Sequence, residues 1–598
     1  MNIDAQTRYS VTPSNALHLI AAAAGAVMLS SCAVRVAPAV PSPMSGKRVE
    51  GRAGMVSASH PDAAAAGAAI LRQGGNAIDA FAATAFALSV TDVSQTGLGG
   101  GGAMTWYDAR TQRAEHLSFY PKSGASMEWG RSDSGTVRLQ GRAAGVPGMV
   151  AGVLEAHTKW GRLTRAQVMA PAIRLARDGF VVSPLLARTI ASSRVKLTLD
   201  TLAARRFMPN GQPLRPGELL VQPELAVTLA AISDGGAPAF YVGAVAEQLS
   251  AKVKALGGLI DVRDMNDYRV LTLRPLCAPW RGYTVLGAPP PLGGAAVLEM
   301  LQLAEAAGLG NAAGFTHQPD AVVTLADVMR IGNADAGRWR GDPTSLHVPA
   351  RGMTHPGYAA QRARLVGGTL TDSVAAGTPA AFDTTAVPSA CATLDPYPRA
   401  AVIARADSAG DETASASDDN TSFTSHLSVV DGDGNAVSAT TTVGVLFGSG
   451  VYTGGFFLNS AAANFDARTR GPNRYANSTM SPTMVLEGRT VRLVIGAAGS
   501  QYIQPAIVQV TLRILGFGED PGHAISAPRI HASATTKEVE VEPGFATSVY
   551  AALVARGYKP LSRVADITFG GVHGVVVRRN GTRIGIADPR RDGVAVKQ

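Results

Sequence analysis

Two threonines stand on either side of one predicted hairpin. The run from Phe423 to Val430 is followed by a turn of Asp, Gly and Asn residues and by a second run rich in Thr and Val. Two β-rich runs around such a turn predict paired antiparallel strands. If the turn is centred near Asp433, equal steps along the strands place Thr424 opposite Thr442. The pattern therefore predicts two hydroxyl groups close together at one end of the hairpin.

A threonine at the start of a processed chain can act as a nucleophile. Its hydroxyl attacks an amide only when a base accepts the proton, and a free α-amino group can be that base because its pKa is about 7.7 to 8. Cleavage between Phe423 and Thr424 would place both groups on one residue. We interpret Thr424 as nucleophile and base. Its local alternatives are Thr421, Ser422 and Ser425, and an ordinary strand threonine is the structural alternative.

The same segment resembles the start of the small subunit in the γ-glutamyltransferase family of N-terminal nucleophile hydrolases. That subunit begins with Thr-Thr-His or a close variant, followed by Ser-Val-Val-Asp and a Gly-Asn turn. The chain has Thr424-Ser425-His426, then Ser428 to Asp431 and Gly434-Asn435. Each further motif is weak alone, but eight stand in the family's order: residues 74–80, 97–102, 145–148, 176–180, 289–291, 447–450, 480–483 and 588–590.

The resemblance implies a four-layer αββα fold, in the α/β (α+β) class, formed jointly by two autoprocessed subunits. It predicts a large subunit of residues 51–423 and a small catalytic subunit of residues 424–598, joined as a heterodimer. Pattern alone gives a mixed α/β protein, with helices predicted at Pro61 to Leu71 and Ala77 to Val90. Residues 404–420 are rich in Ser, Asp, Glu and Ala, which predicts a flexible acidic segment before the cleavage site.

The resemblance also assigns residues to acyl transfer. Thr442 matches a threonine that hydrogen-bonds the nucleophile, with a surface threonine of high β-propensity as the alternative. Gly499 and Ser500 stand where the family has a Gly-Gly pair whose N–H groups stabilise the oxyanion. Ser in place of the second Gly keeps the N–H group. A Gly-rich turn between a strand and a helix is the structural alternative.

The predicted acyl pocket departs from the family on the side of the substrate carboxylate. Tyr120 stands where γ-glutamyltransferases bind the α-carboxylate with an Arg, and Lys122 close by could replace that Arg as a point charge. Ser478 and Thr479 match two hydroxyl residues that bind the same carboxylate. The pocket is therefore expected to bind a carboxylate through hydroxyl groups and one cation.

The ammonium side departs further. The family's Asn, Gln and Asp correspond to Gly444, Ala461 and Asn464. Burying an unpaired charge costs several kcal/mol, so a γ-glutamyl group should bind poorly, whereas Asn464 tolerates a neutral acyl group or one bearing only a carboxylate. The short segment from Asn464 to Ser478 lacks the lid loop of some relatives, which predicts a more open pocket.

Composition argues against other functions. The chain of 598 residues is 46% hydrophobic, and its formal net charge of +9 is spread along the sequence without a nucleic-acid-binding motif. The 11 His are scattered, so no metal is predicted, and no nucleotide fingerprint surrounds the glycines at 97–102, so no cofactor is predicted. Cys277 and Cys391 could form a disulfide or remain free buried thiols.

Residues 1–31 predict a signal peptide of the lipoprotein type. The apolar stretch from Ala16 to Leu29 is too short to span a bilayer, and Leu29-Ser30-Ser31-Cys32 resembles a bacterial lipobox. Cys32 would then be lipidated, residues 32–50 would form a tether, and the protein would be periplasmic and anchored to a bacterial membrane. An ordinary signal peptide with a chance cysteine is the alternative.

Three functions follow from the sequence. The first is a self-processing enzyme that acts through an acyl-Thr424 intermediate on γ-glutamyl compounds such as glutathione. The second is an acylase or amidohydrolase of the same family with a glutaryl-like or neutral acyl group. The third is a non-catalytic surface lipoprotein that keeps the fold, against which the retained Thr424, Thr442 and Gly499 count.

Overall fold

Two antiparallel seven-stranded sheets form the centre of the computed structural model. The structure describes residues 47–126, 139–383, 391, 422–465, 468 and 471–598. The strands are β1 Arg48–Gly51, β2 Met55–Ala58, β3 Gly101–Asp108, β4 Arg113–Phe119, β5 Phe180–Val181, β6 Leu219–Leu220, β7 Leu271–Leu273, β8 Leu276–Trp280, β9 Tyr283–Gly287, β10 Ser422–Val430, β11 Ala436–Val445, β12 Tyr452–Thr453, β13 Phe456–Phe457, β14 Thr483–Glu487, β15 Thr490–Ala498, β16 Ile530–Ala532, β17 Glu538–Val541, β18 Lys559–Ser562, β19 Gly571–Val577, β20 Arg583–Ala587 and β21 Val594–Lys597.

The first sheet has the order β21-β2-β10-β11-β3-β4-β7, and the second has the order β1-β20-β19-β15-β14-β9-β8. The α-helices are Pro61–Arg72, Ala77–Thr91, Met149–Trp160, Arg165–Asp178, Pro184–Ser192, Arg194–Leu197, Thr201–Phe207, Pro223–Gly235, Ala237–Tyr241, Ala244–Ala255, Val262–Asn266, Gly294–Ala306, Pro319–Trp339, Ala350–Met353, Pro356–Ala363, Ala380–Asp383, Ile503–Thr511, Pro521–Ser526 and Thr547–Arg556. Short turns of other helix types are Gly141–Ala143, Pro209–Gly211, Phe315–His317, Ala461–Asn464, Ser500–Tyr502 and Leu512–Gly516.

Helices cover the outer face of each sheet. The helices Pro61–Arg72 and Ala77–Thr91 share one apolar core with the first sheet, and Gly294–Ala306 and Ile503–Thr511 share another with the second. A third apolar cluster lies between the sheets. The four-layer αββα prediction is therefore confirmed, as are the two helices predicted near the front of the chain.

Serine hydroxyls connect the two sheets. Three adjacent strands, β2, β10 and β11, each send one hydroxyl to a backbone carbonyl of the second sheet. The bonds run from Ser57 to Ile586 at 2.6 Å, from Ser428 to His573 at 3.3 Å and from Ser438 to Ile495 at 2.9 Å. Because each bond satisfies a buried donor, the sheets keep one fixed alignment around the hairpin.

The Asp431 carboxylate organises the hairpin turn. It accepts hydrogen bonds from the backbone N–H groups of Asp433 and Asn435, each at 3.0 Å, and from the Asn435 amide at 2.8 Å. It also accepts one from the N–H of Ala77, at the start of a helix, at 3.0 Å. Gly434 supplies the left-handed backbone that the turn requires, with φ of 88°. This side-chain chemistry explains why the hairpin forms where the sequence predicts it.

The predictions for residues 1–46, including lipidation of Cys32, and for residues 404–420 lie outside the described residues. Strand β1 begins at Arg48, within the range 32–50 that the sequence assigns to a tether. Cys277 and Cys391 form a disulfide with a Cα–Cα distance of 5.8 Å, which settles the open alternative. In the described part of the chain, no helix has the length and apolar character to cross a membrane.

Candidate active site

Thr424 lies near the start of β10, buried at the centre of the first sheet, with 3% of its surface exposed. Strands β10 and β11 pair in the predicted equal-step register from Ser425, which lies opposite Thr441. Between Phe423 and Ser425 the register shifts, so Thr424 and Thr442 do not form the regular pair that the sequence predicts. The irregularity coincides with the predicted cleavage site, where bulges commonly redirect a side chain.

Thr442 contacts the peptide bond that precedes Thr424. Its hydroxyl donates to the Phe423 carbonyl at 2.5 Å and accepts from the Gly444 N–H at 2.7 Å. In the unbroken chain, the Thr442 hydroxyl thus contacts the carbonyl that the nucleophile would attack. The bulge is what brings this carbonyl within reach of the Thr442 side chain.

The histidine of the Thr-Ser-His segment is buried, and hydroxyl groups occupy both of its ring nitrogens. The Ser428 hydroxyl donates to the His573 carbonyl and so accepts from His426 Nε2 at 3.0 Å, while His426 Nδ1 accepts from Thr440 at 2.8 Å. Burial lowers the pKa of His426 to about 3, so the ring is neutral. A Cβ at Gly496 would lie 2.2 Å from this ring, so the glycine makes room for it between the sheets.

Gly499 and Ser500 form the turn that leads from β15 into the following helix, and this turn lies in contact with β10. Both residues have positive φ, 129° for Gly499 and 53° for Ser500. A Cβ at Gly499 would lie 2.9 Å from the Gly570 nitrogen and the Thr568 carbonyl, so only glycine fits. Two successive left-handed residues turn the backbone sharply beside the nucleophile strand, a geometry suited to presenting N–H groups to an anion.

The predicted pocket residues come together from distant parts of the chain. Residues 121–123 run beside 474–476, bonded from the Ala476 N–H to the Pro121 carbonyl at 3.2 Å. The Asn464 amide donates to the Tyr120 hydroxyl at 2.8 Å. Burial raises the pKa of Tyr120, while hydrogen bonds with Asn464 and Ser478 oppose the rise. Tyr120, Asn464 and Ser478 therefore form one neutral polar group, and Thr479 follows it along the chain, half-exposed.

Apolar and small residues surround this group. Tyr120 packs in one buried cluster with residues that include Ala461 and Met480. Gly444 has a φ of 91°, and a Cβ there would lie 2.3 Å from the Ser460 hydroxyl oxygen. No larger side chain fits at position 444 without displacing Ser460, so the missing amide of the family is a feature of the backbone as well as of the sequence.

Two basic residues stand near Tyr120, Lys122 along the backbone and Arg340 through its charge. The half-buried Lys122 is held by backbone bridges to Val146 and Tyr475. Sequence reasoning missed Arg340, which follows the Pro319–Trp339 helix and whose charge acts on the Tyr120 hydroxyl. No local pattern could have found it, because it stands far from Tyr120 in sequence. Within the described ranges no group of three or more His, Cys, Asp or Glu could hold a metal ion.

Two facing antiparallel sheets between helical layers, with a threonine at the start of a central strand, define the N-terminal nucleophile hydrolase class. The chain belongs to the gamma-glutamyltranspeptidase family, whose model matches residues 63–598. It is therefore an enzyme of this family, and the non-catalytic alternative has no support.

The chain is similar to relatives with two kinds of name. It is 32% identical over 564 residues to the glutathione hydrolase proenzyme of Bacillus subtilis (strain 168), covering 91% of this chain and 92% of the relative. It is 33% identical over 572 residues to the acylase ACY 1 proenzyme of Pseudomonas sp. (strain V22), covering 92% and 94%. Cephalosporin acylase from Bacillus halodurans is a similar solved structure, with a TM-score of 0.79 and 26% identity, covering 96% of this chain and 99% of that one.

Proposed function

We propose that this enzyme cleaves its own chain at Thr424 and then transfers or hydrolyses acyl groups that carry a terminal carboxylate and no α-ammonium, such as glutaryl. The observation that carries the proposal is the Asn464–Tyr120 hydrogen bond of 2.8 Å, because it joins two uncharged side chains in the pocket wall.

Processing would begin with attack of the Thr424 hydroxyl oxygen on the Phe423 carbonyl carbon. The C–N bond breaks, the Thr424 nitrogen takes up the proton, and an ester joins the two residues. Water then hydrolyses the ester, which leaves a carboxylate on Phe423 and a free amine on Thr424. The Thr442 hydroxyl, 2.5 Å from the Phe423 oxygen, supports the first step because it donates to the atom on which negative charge develops.

Turnover would use the same hydroxyl on an external amide. The free amine accepts the Thr424 hydroxyl proton and returns it to the departing amine, and an acyl ester forms on Thr424. Water or a second amine then accepts the acyl group. The Gly499–Ser500 turn supports this assignment because its backbone lies beside the nucleophile strand, where N–H groups could stabilise the oxyanion.

The acyl specificity follows from the charges around the pocket. Ser478 and the half-buried Lys122 suit a carboxylate, and the charge of Arg340 acts on the Tyr120 hydroxyl. Asn464 offers an amide where an ammonium would need an acid. A substrate ammonium would thus meet cations and neutral groups, which disfavours its binding. Gamma-glutamyl compounds remain the second candidate, because the Bacillus subtilis relative is named a glutathione hydrolase.

The test compares p-nitroanilides that differ only in the acyl group. We expect kcat/KM for glutaryl anilide to equal or exceed that for γ-glutamyl anilide near pH 7, with butyryl anilide testing the need for a carboxylate. The Thr424→Ala variant is the control and should be inactive with all three. A wild-type preference for γ-glutamyl of about a hundredfold, roughly 2.7 kcal/mol, would contradict the proposed specificity.

The cleavage site is tested by sequencing the small fragment. We expect it to start at Thr424, and Thr424→Ala should remain a single chain on a denaturing gel. A fragment that starts at Thr421, Ser422 or Ser425 would show that a different residue is the nucleophile. We further expect large and small fragments to copurify as a heterodimer.

We also propose that the protein is exported to the periplasm and anchored through a lipid on Cys32. The support is the lipobox-like sequence that ends at this residue. Cys32→Ala should move the exported protein from the membrane fraction to the soluble fraction, while Cys32 in the wild type holds it at the membrane. A wild-type protein that is already soluble after export would rule out the anchor.

A further inference from the structure

A buried polar network lies directly behind the nucleophile. It consists of Asp92 and Gln95, which follow the Ala77–Thr91 helix, together with Ser425 and Arg591. Their exposed fractions are 7%, 2%, 0% and 3%. None of these side chains has a part in the processing and acyl-transfer steps described above. Four polar side chains taken out of water at one place require a structural or functional reason.

The network closes a ring through Thr424. Arg591 Nη1 donates to the Thr424 carbonyl at 3.1 Å and to Gln95 Oε1. Gln95 Nε2 donates to Asp92 Oδ1 at 2.6 Å, and the Ser425 hydroxyl donates to Asp92 Oδ2 at 2.5 Å. Because Ser425 is bonded covalently to Thr424, the ring holds the nucleophile residue by its backbone from two sides.

The remaining charges around Arg591 have their own partners. Four aspartates act on it, Asp92, Asp588, Asp592 and Asp566. Asp588 is paired with Arg529 at 2.6 Å and with Arg590 at 3.1 Å. Asp592 accepts from Ser183 at 2.5 Å and is also acted on by the charges of Lys47 and Arg188. Asp566 accepts from the Thr568 hydroxyl at 2.6 Å.

The two histidines nearby carry no charge. Burial lowers the pKa of both His426 and His573. Burial also raises the pKa of Asp92 to about 6, so this carboxyl is mostly ionised at pH 7. The charged group that contacts Thr424 itself is the guanidinium of Arg591. The carboxylate of Asp92 contacts the next residue, where it accepts a hydrogen bond from the Ser425 hydroxyl.

We propose that Arg591 is a positioning residue that keeps the processed Thr424 amine in its uncharged, proton-accepting form, and that Asp92 limits this effect. The inference rests on the proposed function. A cation on the carbonyl of a residue lies within a few ångströms of that residue's amine, where a second positive charge is repelled. Solvent and salt screen this repulsion weakly because the network is buried.

The test is the acidic limb of kcat/KM against pH, measured with the acyl anilide that the wild type cleaves best. This limb reports the ionisation of the free enzyme, and its midpoint does not depend on the fraction of the preparation that is processed. Arg591→Gln should move the midpoint up by about one pH unit, and Arg591→Lys should leave it within about 0.3 units of the wild type. Asp92→Asn should move it down.

The opposite shifts of the midpoint expected for Arg591→Gln and Asp92→Asn distinguish an electrostatic role of these residues from a structural one. A purely structural role would lower kcat in both neutral variants and leave the midpoints unchanged, and that result would overturn the inference. Midpoints that move in the same direction for Arg591→Gln and Asp92→Asn would also overturn it. If Arg591→Gln gives no active protein, Asp92→Asn decides the matter: a lower midpoint supports the inference, and an unchanged or higher midpoint overturns it. Failure of the proposed function would look different, as a wild type that is uncleaved at Thr424 or a Thr424→Ala variant that stays active.

Discussion

Removing the Thr442 hydroxyl should slow self-cleavage strongly while leaving Thr424 in place. Thr442→Val keeps the shape and deletes the donor that lies 2.5 Å from the Phe423 oxygen. Loss of one oxyanion donor costs about 2.7 to 4 kcal/mol in known enzymes, which is a factor of about 100 to 1,000 in rate. The Gly444 N–H, 2.7 Å from the same hydroxyl, loses its acceptor as well.

The assay is a time course of precursor and fragments on a denaturing gel after purification of uncleaved protein. Thr442→Ser is the matched control, because it keeps the hydroxyl and should process within about tenfold of the wild type. Loss of the Gly444 partner is a stability effect of about 1 to 3 kcal/mol, which urea unfolding of the precursor measures separately. Cleavage of Thr442→Val within fivefold of the wild type would refute a role of this donor.

Two further predictions concern stability. Glu299 is buried beside Asp335, and burial together with the Asp335 charge raises the pKa of Glu299 well above its usual value. The folded chain therefore holds a proton that the unfolded chain releases, so stability falls as pH rises from the unfolded value toward the folded one. Glu299→Gln should flatten that fall in thermal unfolding curves, and an unchanged slope would contradict the assignment. Cys277→Ser removes the disulfide between Cys277 and Cys391, which are 114 residues apart. The free energy of unfolding in urea should fall by about 2 to 5 kcal/mol. Dithiothreitol should lower the stability of the wild type and leave that of the variant unchanged.

Local chemistry made the hairpin predictable. Turn residues at positions 431–435 and β-branched runs on each side determine the strands, and the structure adds the Asp431 bonds that hold the turn. The helices at 61–72 and 77–91 are predictable because local sequence also determines them, and Asn76 forms a capping box at the start of the second. Both depend on residues close in sequence.

Long-range contacts were not predictable in the same way. The equal-step rule predicts neither the register shift between Phe423 and Ser425 nor the bond from Thr442 to the Phe423 carbonyl that accompanies it. Arg591 reaches Thr424 from a position 167 residues away. Only the family resemblance indicates that Tyr120 belongs to the pocket, because its partner Asn464 is 344 residues distant. The serine bonds between the sheets are also not predictable, because a strand pattern does not show which face of the strand meets a second sheet.

The exchange of Asn464 for an acid tests the pocket directly. In the wild type the Asn464 amide donates to the Tyr120 hydroxyl at 2.8 Å. Asn464→Asp places a carboxylate there, and the Tyr120 hydroxyl can turn to donate to it. A substrate ammonium then gains a counter-charge, and we expect kcat/KM for γ-glutamyl anilide to rise about tenfold, or about 1.4 kcal/mol. For glutaryl anilide kcat/KM should fall slightly, because the substrate carboxylate approaches a like charge.

Asn464→Ala is the control for this exchange, since it removes the same hydrogen bond without adding a charge and should not improve either substrate. The measurement belongs near pH 7, where the substrate amine is protonated. Position 444 sets the limit of the gain, because a φ of 91° and the Ser460 hydroxyl prevent the family's amide from being restored there by one substitution. If Asn464→Asp gains nothing while the wild type already prefers the γ-glutamyl substrate, a residue outside this pocket wall supplies the ammonium site.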